Sequence, residues 1–350
     1  MAGKKINIGV VGLGRIGWDF HCLELLKKDK TFNIVAVSDV SEERCEEARN
    51  ILFCEAYTKF EDFLNHKGLE AVVIASPTHL HKAMSIKAFQ KGLHVLLEKP
   101  MASNAKEAKA MIDAAKKHKV KFTIYQPARL ADYFQHVLQI LNSKAIGDVY
   151  QIKICRVKFS RRNDWQSLRK YNGGMLSNYG GHVIDQLLHL IGSDIQKTFC
   201  TLRRVATFGD ADDVVKITTQ TKDGVIGEID INSASIANPH YLEIYGTTGV
   251  LTMHETKEIK LQTFRKKDLP KKQLDTSLTA KDRKYPNDKF PTQEKIIPVN
   301  PKLEIDLYDN FYASIRSNKP LAVKPTEVYE VMKFMDLCRK QAGKILDTRI

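Results

Sequence analysis

Apolar and polar positions divide the first 125 residues into short strands that alternate with helices. Short continuous apolar runs bounded by polar turns are typical of buried parallel strands. The runs are Ile6–Val11, Phe32–Val37, Ala71–Ala75, His94–Leu97 and Lys121–Tyr125. Strands that alternate with helices predict a doubly wound parallel sheet.

Helical spacing of apolar residues predicts five helices between and after these strands. They are Arg15–Lys28, Glu42–Asn50, a short helix opened by the capping box Thr58–Glu61, His79–Lys91 and Asn104–His118. The first of them should pack through one apolar face, which comprises Ile16, Phe20, Leu23 and Leu26.

The pattern changes near Gly147, where longer β-type stretches begin. They are Val149–Phe159, Lys197–Ala206, Asp213–Thr221, Val225–Ser233, Tyr241–Tyr245 and Val250–Met253. Predicted helices interrupt and follow them at Tyr179–Ile191, Leu303–Arg316 and Thr326–Ala342, and Arg265–Pro298 looks like a polar excursion.

We therefore predict a Rossmann domain over residues 1–125. A C-terminal α+β domain with a large, mostly antiparallel open sheet should follow over residues 126–350, and its last helices could pack back on the first domain.

Composition is that of a globular protein, with 43% hydrophobic and 27% charged residues among 350. That length suits two domains. The apolar runs are far too short for a membrane span. The N-terminal residues lack the apolar stretch of a signal peptide, so we expect a cytoplasmic protein without a membrane partner.

Cysteine and charge narrow the possible ligands. The six cysteines are scattered, with no close pair at metal-ligand spacing, so we expect reduced thiols and no metal. The formal charge of +14 fits either a nucleic-acid partner or a lysine-rich surface that attracts anionic ligands. Basic residues are spread along the chain except in the denser segment Arg265–Lys289, which is either a surface loop or a subunit contact. No nucleic-acid-binding motif is evident, so no specific nucleic-acid partner is expected.

A glycine-rich turn joins the first strand to the first helix. It reads Gly12-Leu13-Gly14-Arg15-Ile16-Gly17. In a dinucleotide site the first glycine permits the tight turn, the second lets the backbone approach the pyrophosphate, and the third allows close packing of helix and strand. The pyrophosphate would lie on free N–H groups at the helix N-terminus. Alone, the motif also fits a plain glycine turn.

Asp39 strengthens the dinucleotide interpretation. It follows the second strand, about 20 residues after the last glycine, where an acidic side chain meets the ribose 2′-hydroxyl. Its charge favours NAD over NADP, because a carboxylate repels a 2′-phosphate. The nearby Arg44 could instead reach such a phosphate.

Further motifs resemble those of the glucose–fructose oxidoreductase / inositol dehydrogenase / MocA (Gfo/Idh/MocA) family. One is Glu98-Lys99-Pro100 at the end of an apolar strand, and another is the stretch from Gly173-Gly174 through Asn178 and His182 to Asp185-Gln186. Ser76-Pro77-Thr78-His79-Leu80-His81 is similar to a third family motif, with Thr78 in place of asparagine. Tyr241–Met253 resembles the family's late strand pair.

The resemblance implies an oxidoreductase acting on a secondary alcohol of a sugar, inositol or related polyol with NAD or, less expected, NADP. It implies a homodimer or homotetramer formed through the C-terminal sheet. Beyond the glycine turn and Asp39, it implies cofactor contacts from six residues, which are Ser76, Pro77, Thr78, His81, Glu98 and Lys99.

The residues also allow the chemistry to be argued directly. Alcohol oxidation needs a hydride acceptor and a base for the hydroxyl proton, and His182 is the natural base. Lys99 can stabilise the developing alkoxide. Asp185, three residues after His182 on a predicted helix, could bind substrate hydroxyls or steady the histidine. Many family members carry aspartate where this chain has Asn178, which could orient the histidine but brings no charge.

Candidate substrate contacts follow the fifth strand and precede the double glycine. Gln126 and Arg129 could line the cleft, and Arg161 with its neighbour Arg162 could grip an acidic group, unless they belong to an ordinary charged loop. Trp165 could stack on a sugar ring or belong to the core.

Three functions remain open from the sequence. The first is an NAD-dependent sugar or polyol dehydrogenase. The second is a glycosidase-type enzyme that recycles its bound NAD, as the resemblance allows. The third is a cofactor-binding sensor without chemistry, against which the presence of both Lys99 and His182 speaks.

Overall fold

The computed structural model describes residues 4–276, 278 and 287–348. Its first sheet has six parallel strands in the order β3-β2-β1-β4-β5-β6. These strands are β1 Ile6–Val11, β2 Phe32–Ser38, β3 Glu55–Tyr57, β4 Ala71–Ile74, β5 His94–Glu98 and β6 Phe122–Tyr125. This is the strand order of the dinucleotide-binding Rossmann fold, and it confirms the predicted parallel sheet. The crevice of such a sheet lies where the order reverses, between β1 and β4.

Helices connect these strands on both sides of the sheet. They are α1 Leu23–Lys27, α2 Glu42–Leu52, α3 Phe60–Phe63, α4 His81–Gln90 and α5 Ala105–Lys117. The Ser41 hydroxyl and the Asn104 side chain cap α2 and α5 by accepting backbone N–H groups. The predicted capping box at Thr58 is wrong, because the one-turn helix α3 begins after Lys59 and has no side-chain cap.

The first helix differs from its prediction in a way that matters for the site. The chain forms a π-helical segment over Ile16–Cys22 before α1 begins. A π-helix has more residues per turn than an α-helix, so the inward face is displaced along the sequence. Phe20, Leu23 and Leu26, all predicted to be packed, are 51%, 37% and 43% exposed, while His21 is fully buried.

The second sheet has nine strands in the order β14-β13-β12-β11-β7-β10-β9-β8-β15. Their bounds are β7 Val149–Val157, β8 Ile195–Arg204, β9 Val214–Thr221, β10 Ile226–Asn232, β11 Leu242–Gly246, β12 Gly249–Met253, β13 Glu258–Thr263, β14 Gln293–Pro298 and β15 Leu346–Asp347. Pairing is antiparallel except between β7 and β10 and between β8 and β15. The predicted mostly antiparallel sheet is confirmed.

The prediction of a polar excursion over Arg265–Pro298 is wrong at its C-terminal end. There β14 pairs antiparallel with β13 at the edge of the sheet. Most side chains of β14 are exposed, so it lacks the apolar alternation by which a strand is recognised. Within the basic segment Arg265–Lys289, residues 277 and 279–286 lie outside the described part of the chain.

In the described part of the second half of the chain the α-helices are α6 Pro127–Leu130, α7 Asp132–Asn142, α8 Met175–Asn178, α9 Gly180–Ile191, α10 Leu307–Ser317 and α11 Pro325–Ala342. Helix α9 packs on one face of the second sheet, where Gly227 leaves room for Leu187. Helix α11 also contacts the Rossmann half, since Asp336 accepts the backbone N–H of Ala105 at 2.8 Å. This contact joins helix α11 to the start of helix α5.

Neither a membrane-spanning helix nor a metal cluster is found among residues 4–276, 278 and 287–348. None of the helices there is long and apolar enough to cross a bilayer. No group of three or more histidine, cysteine or acidic side chains in that part of the chain is arranged to hold a metal ion.

Candidate active site

The glycine turn has the geometry that its three glycines predict. Gly12 has a φ of +88°, and a Cβ there would lie 2.8 Å from the backbone of Ala75. A Cβ on Gly17 would lie 1.7 Å from the carbonyl oxygen of Gly12, so only glycine allows the helix to approach the strand. Gly14 differs, since a Cβ there would meet nothing within 4 Å. The open space above Gly14 is what a pyrophosphate needs at a helix N-terminus.

Asp39 follows strand β2 and contacts the glycine turn. Its Oδ2 accepts the backbone N–H of Leu13 at 2.7 Å, and its Oδ1 accepts that of Ser41 at 3.0 Å. The carboxylate thus stands beside the glycine turn at the end of β2, where a ribose diol is bound in this fold. The Arg44 guanidinium lies 3.5 Å from Asp39 Oδ2 and is half exposed. The turn and Asp39 together fit a dinucleotide.

A cleft lies beyond the carboxyl ends of β1, β4 and β5. It is lined from both halves of the chain by Ile16, Ala75, Ser76, Thr78, Glu98, Lys99, Pro100, Trp165, Gln166, Asn172, Gly173, Ser177 and Asn178. Seven of the predicted cofactor, catalytic or substrate residues therefore line one cleft, at the edge of the sheet where open α/β folds bind ligands.

Lys99 reaches across the cleft to helix α8. Its Nζ donates to the Asn178 carbonyl oxygen at 3.1 Å and to Asn178 Oδ1 at 3.2 Å. Burial lowers the pKa of Lys99, the Glu98 carboxylate raises it, and the positive charges of Arg162 and Arg15 lower it. The amine is thus poised to lose its proton more readily than an exposed lysine.

His182 lies near Lys99, at the start of α9. Burial and the charge of Lys99 hold the pKa of His182 well below its ordinary value. The imidazole is therefore neutral at neutral pH. Its Nδ1 is buried and has no hydrogen-bond partner within the described part of the chain. The ring of Tyr179 stands edge-on to the histidine at 5.8 Å between centroids.

Two buried polar atoms without partners belong to this cleft. Among the residues that the structure describes, the side-chain atoms buried without a hydrogen bond are Ser76 Oγ, Asn172 Nδ2, Gln126 Oε1, His182 Nδ1, Ser85 Oγ and Ser314 Oγ. Ser76 and Asn172 line the cleft itself. Because a buried polar atom without a partner is destabilising, such atoms indicate a place where a polar ligand binds.

Arg129 and Asp185 lie outside the cleft lining, in a buried ion-pair network. Arg129 Nε donates to Asp185 Oδ2 at 2.9 Å, and the Arg129 guanidinium also contacts Asp185 Oδ1 and Glu327. Both side chains of the Arg129–Asp185 pair are at most 3% exposed. Gln126 Nε2 donates to the Gly181 carbonyl oxygen at 3.2 Å. These contacts tie α6, α9 and α11 together beneath His182.

His81, which the resemblance implies as a cofactor contact, is buried and does not line the cleft. Its Nδ1 lies 3.0 Å from the Pro100 carbonyl oxygen and its Nε2 lies 2.8 Å from that of Ser76. Burial lowers the pKa of His81. The ring therefore braces two loops whose residues line the cleft. His79, two residues earlier in the same motif, packs against the Tyr171 ring at 5.5 Å between centroids.

The loop before the double glycine contributes Trp165 and Gln166 to the cleft lining. Trp165 lines the cleft and is 40% exposed. Arg161 instead lies over the ring of Phe208, and Arg162 forms an ion pair with Asp164. The two arginines thus have partners outside the cleft.

Asp212, which was not among the predicted site residues, stabilises helix α8, and this helix carries Asn178. Asp212 accepts the backbone N–H of Leu176 at 2.8 Å, and burial raises its pKa to about 6. Gly174, with a φ of +103°, lets the chain pass Asp212, because a Cβ there would lie 2.3 Å from its Oδ1. The double glycine was the only sequence signal of this close approach.

A Rossmann sheet with a glycine turn and Asp39, whose strand β5 is followed by Lys99 in contact with Asn178 of helix α8, defines the class of NAD-binding oxidoreductases. Residues 6–126 match the model of an oxidoreductase family with an NAD-binding Rossmann fold, and residues 134–252 match the GFO/IDH/MocA C-terminal domain. The chain belongs to the GFO/IDH/MocA oxidoreductase family.

Relatives within the family have different activities. The 2,7-anhydro-N-acetylneuraminate hydratase of Mediterraneibacter gnavus is 27% identical over 258 residues, which cover 71% of this chain and 67% of the hydratase. The scyllo-inositol 2-dehydrogenase (NADP(+)) of Bacillus subtilis is 28% identical over 192 residues, about half of each chain at 53% and 52%. The crystal structure of an NAD-binding protein from Listeria innocua has a TM-score of 0.85 at 25% identity and covers 97% of this chain and 98% of its own.

Proposed function

We propose that this protein is an NAD-dependent oxidoreductase that acts on a secondary alcohol or ketone of a sugar, inositol or related polyol. The observation that carries the proposal is the meeting of Lys99 and Asn178 at a cleft beside the glycine turn, with His182 close enough for the charge of Lys99 to lower its pKa. Such a cleft brings an acid–base pair to the place where a nicotinamide would lie.

The cofactor would be held by the glycine turn and Asp39, with Ser76–Thr78, Glu98 and Lys99 along the cleft. When bound, it supplies the hydride acceptor or donor. The Asp39 carboxylate favours the ribose diol of NAD, whereas Arg44 is the feature that would favour the NADP used by the scyllo-inositol dehydrogenase of Bacillus subtilis.

His182 and Lys99 would divide the proton chemistry. In the oxidation direction His182, which is neutral, accepts the hydroxyl proton, and the Lys99 ammonium stabilises the negative charge that develops on the oxygen. Each charge state suits its role, since a base must begin unprotonated and an electrostatic stabiliser must begin charged. Asn178 holds the ammonium in place through its two oxygens.

The substrate is inferred from the cleft's unpaired polar atoms and its exposed ring. Ser76 Oγ and Asn172 Nδ2 offer hydrogen bonds to hydroxyl groups, and Trp165 offers an apolar face. A polyhydroxylated ring has both kinds of surface. We assign Arg129 and Asp185 a supporting part, in which they fix α9 and so the position of His182.

A second candidate is an enzyme that recycles its bound NAD without net oxidation. The relative from Mediterraneibacter gnavus is a hydratase, a reaction without net redox change. Many family members carry aspartate where this chain has the neutral Asn178. This difference is the feature of the chain that favours the alternative.

The deciding experiment measures NADH formation from NAD⁺ across inositols, sugars, sugar acids and amino sugars. Lys99→Ala and His182→Ala test the assigned pair, and Lys91→Ala and His254→Ala are matched controls because both residues are exposed and outside the cleft. Loss of NADH formation in Lys99→Ala and His182→Ala, but not in the two control variants, would support the proposed dehydrogenase activity. A chain that binds NAD⁺ but forms no NADH, and instead converts an anhydro sugar or glycoside, would support cofactor recycling.

A further inference from the structure

A buried row of three side chains ends on the Glu98 carboxylate, immediately before Lys99. Tyr308 Oη lies 2.6 Å from His21 Nδ1, and His21 Nε2 lies 3.0 Å from Glu98 Oε1. His21 is fully buried, Tyr308 is 2% exposed and Glu98 is 6% exposed. Away from water, such hydrogen bonds are strong and fix the orientation of each group.

The protons in this row can be assigned from the chemistry of its members. Burial raises the pKa of Tyr308 well above its ordinary value, so its hydroxyl keeps its proton. An ionised Glu98 can only accept. A neutral imidazole then satisfies both neighbours in one tautomer only, in which Nδ1 accepts from Tyr308 and Nε2–H donates to Glu98.

Glu98 is held at its second oxygen as well. Its Oε2 accepts the backbone N–H of Lys99 at 2.9 Å. With both oxygens held, the carboxylate keeps a fixed place at the cleft wall. Its charge opposes the effects of burial and of two cations, Arg15 and Arg162, on the Lys99 ammonium. Release of Glu98 would therefore make Lys99 lose its proton at lower pH.

Resting on the role proposed above for Lys99, we propose that His21 and Tyr308 are positioning residues of the active site. The Tyr308 hydroxyl fixes the tautomer of His21, and His21 Nε2–H holds the Glu98 carboxylate beside Lys99. Tyr308 ends the row at a buried place, edge-on to Phe32 at 5.9 Å between centroids. The row therefore orients groups and does not carry protons to solvent.

Tyr308→Phe tests this inference, because it removes only the hydroxyl. Tyr312→Phe is a closely matched control: Tyr312 lies on the same helix α10, packs edge-on against the same Phe32 ring at 5.9 Å, and donates its hydroxyl to the Lys4 carbonyl oxygen. The readout is competitive acetylation of Lys99 by trace acetic anhydride over a pH series, quantified by mass spectrometry on the purified full-length chain. This readout requires no turnover.

The expected result is that the pH of half-maximal Lys99 labelling falls by roughly one unit in Tyr308→Phe and stays unchanged in Tyr312→Phe. His21→Leu should reproduce the fall, and His21→Gln, whose amide can still donate to Glu98, should restore most of the wild-type value. Unchanged labelling in both Tyr308→Phe and His21→Leu, or an equal fall in Tyr312→Phe, would overturn the inference. A fall in Tyr308→Phe and His21→Leu but not in Tyr312→Phe supports the inference even if the chain forms no NADH. Absence of NADH formation would overturn only the proposed function.

Discussion

Replacing Asn178 with aspartate places a charge where the structure has a neutral amide. Lys99 Nζ lies 3.2 Å from Asn178 Oδ1, so the new carboxylate would contact the ammonium directly. An opposite charge within hydrogen-bonding distance stabilises the protonated form of an amine. Lys99 in Asn178→Asp should therefore keep its proton to higher pH than in the wild-type chain.

The magnitude follows from the surroundings of Lys99. A partly buried pair in contact commonly moves the titration of one partner by about one to three pH units, or about 1.4–4 kcal/mol. We expect the alkaline limb of the kcat/KM profile for NADH formation, which belongs to loss of the Lys99 proton, to move upward by that amount. The acid limb belongs to His182, whose Nδ1 does not contact residue 178, and should move less.

The assay is initial NADH formation from NAD⁺ and the best substrate of the panel, measured over a pH series in both proteins. Asn33→Asp, an exposed position on β2, makes the same change in net charge away from the cleft and serves as the control. An alkaline limb that does not move in folded Asn178→Asp, or that moves equally in Asn33→Asp, would refute the assignment of that limb to Lys99.

Three further predictions concern the cofactor site, the core and assembly. Gly17→Ala should prevent folding, because its Cβ would lie 1.7 Å from a backbone oxygen, whereas Gly14→Ala should fold normally and bind NAD⁺ at least tenfold more weakly, as calorimetry and circular dichroism can show. Arg129→Gln should lower the free energy of unfolding by about 3–5 kcal/mol, because it leaves Asp185 buried without its cation; urea unfolding measures this, and a change below 1 kcal/mol would contradict it. If subunits assemble through the second sheet, Phe199→Glu, at a position 62% exposed on β8, should shift the mass in light scattering toward the monomer, and an unchanged mass would argue for another interface.

The Rossmann half was predictable because burial of both faces of a parallel sheet leaves a plain sequence signal. All four residues of strand β4, Ala71–Ile74, are fully buried, so this strand is a continuous apolar run. The glycine turn was equally predictable, since the geometry at Gly12 and Gly17 admits no other residue. In both cases a local physical constraint acts on adjacent residues, and the sequence records it directly.

The edge of the second sheet and the first helix were not predictable by the same reasoning. Strand β14 is exposed on most of its length, so no apolar periodicity distinguishes it from a loop. The π-helical segment moves His21 to the inside and Phe20 to the outside, against the α-helical spacing. The hydrogen bonds from His21 to Tyr308 and Glu98 join distant parts of the sequence, and no spacing rule reveals them.

The substitution at Asn178 shows how a correct sequence observation can acquire a different meaning in three dimensions. From the sequence, residue 178 was expected to orient His182, four residues later. The structure gives His182 Nδ1 no partner among the described residues, and both oxygens of Asn178 accept from Lys99 instead. The missing charge therefore bears first on the protonation of the lysine and not on the orientation of the histidine. Burial and the charges of Arg162 and Arg15 lower the pKa of Lys99. With a neutral side chain at residue 178, Glu98 is the charge that opposes this lowering. The hydrogen bonds that fix Glu98 therefore matter more for the pKa of Lys99 here than they would in a relative with aspartate at the same place.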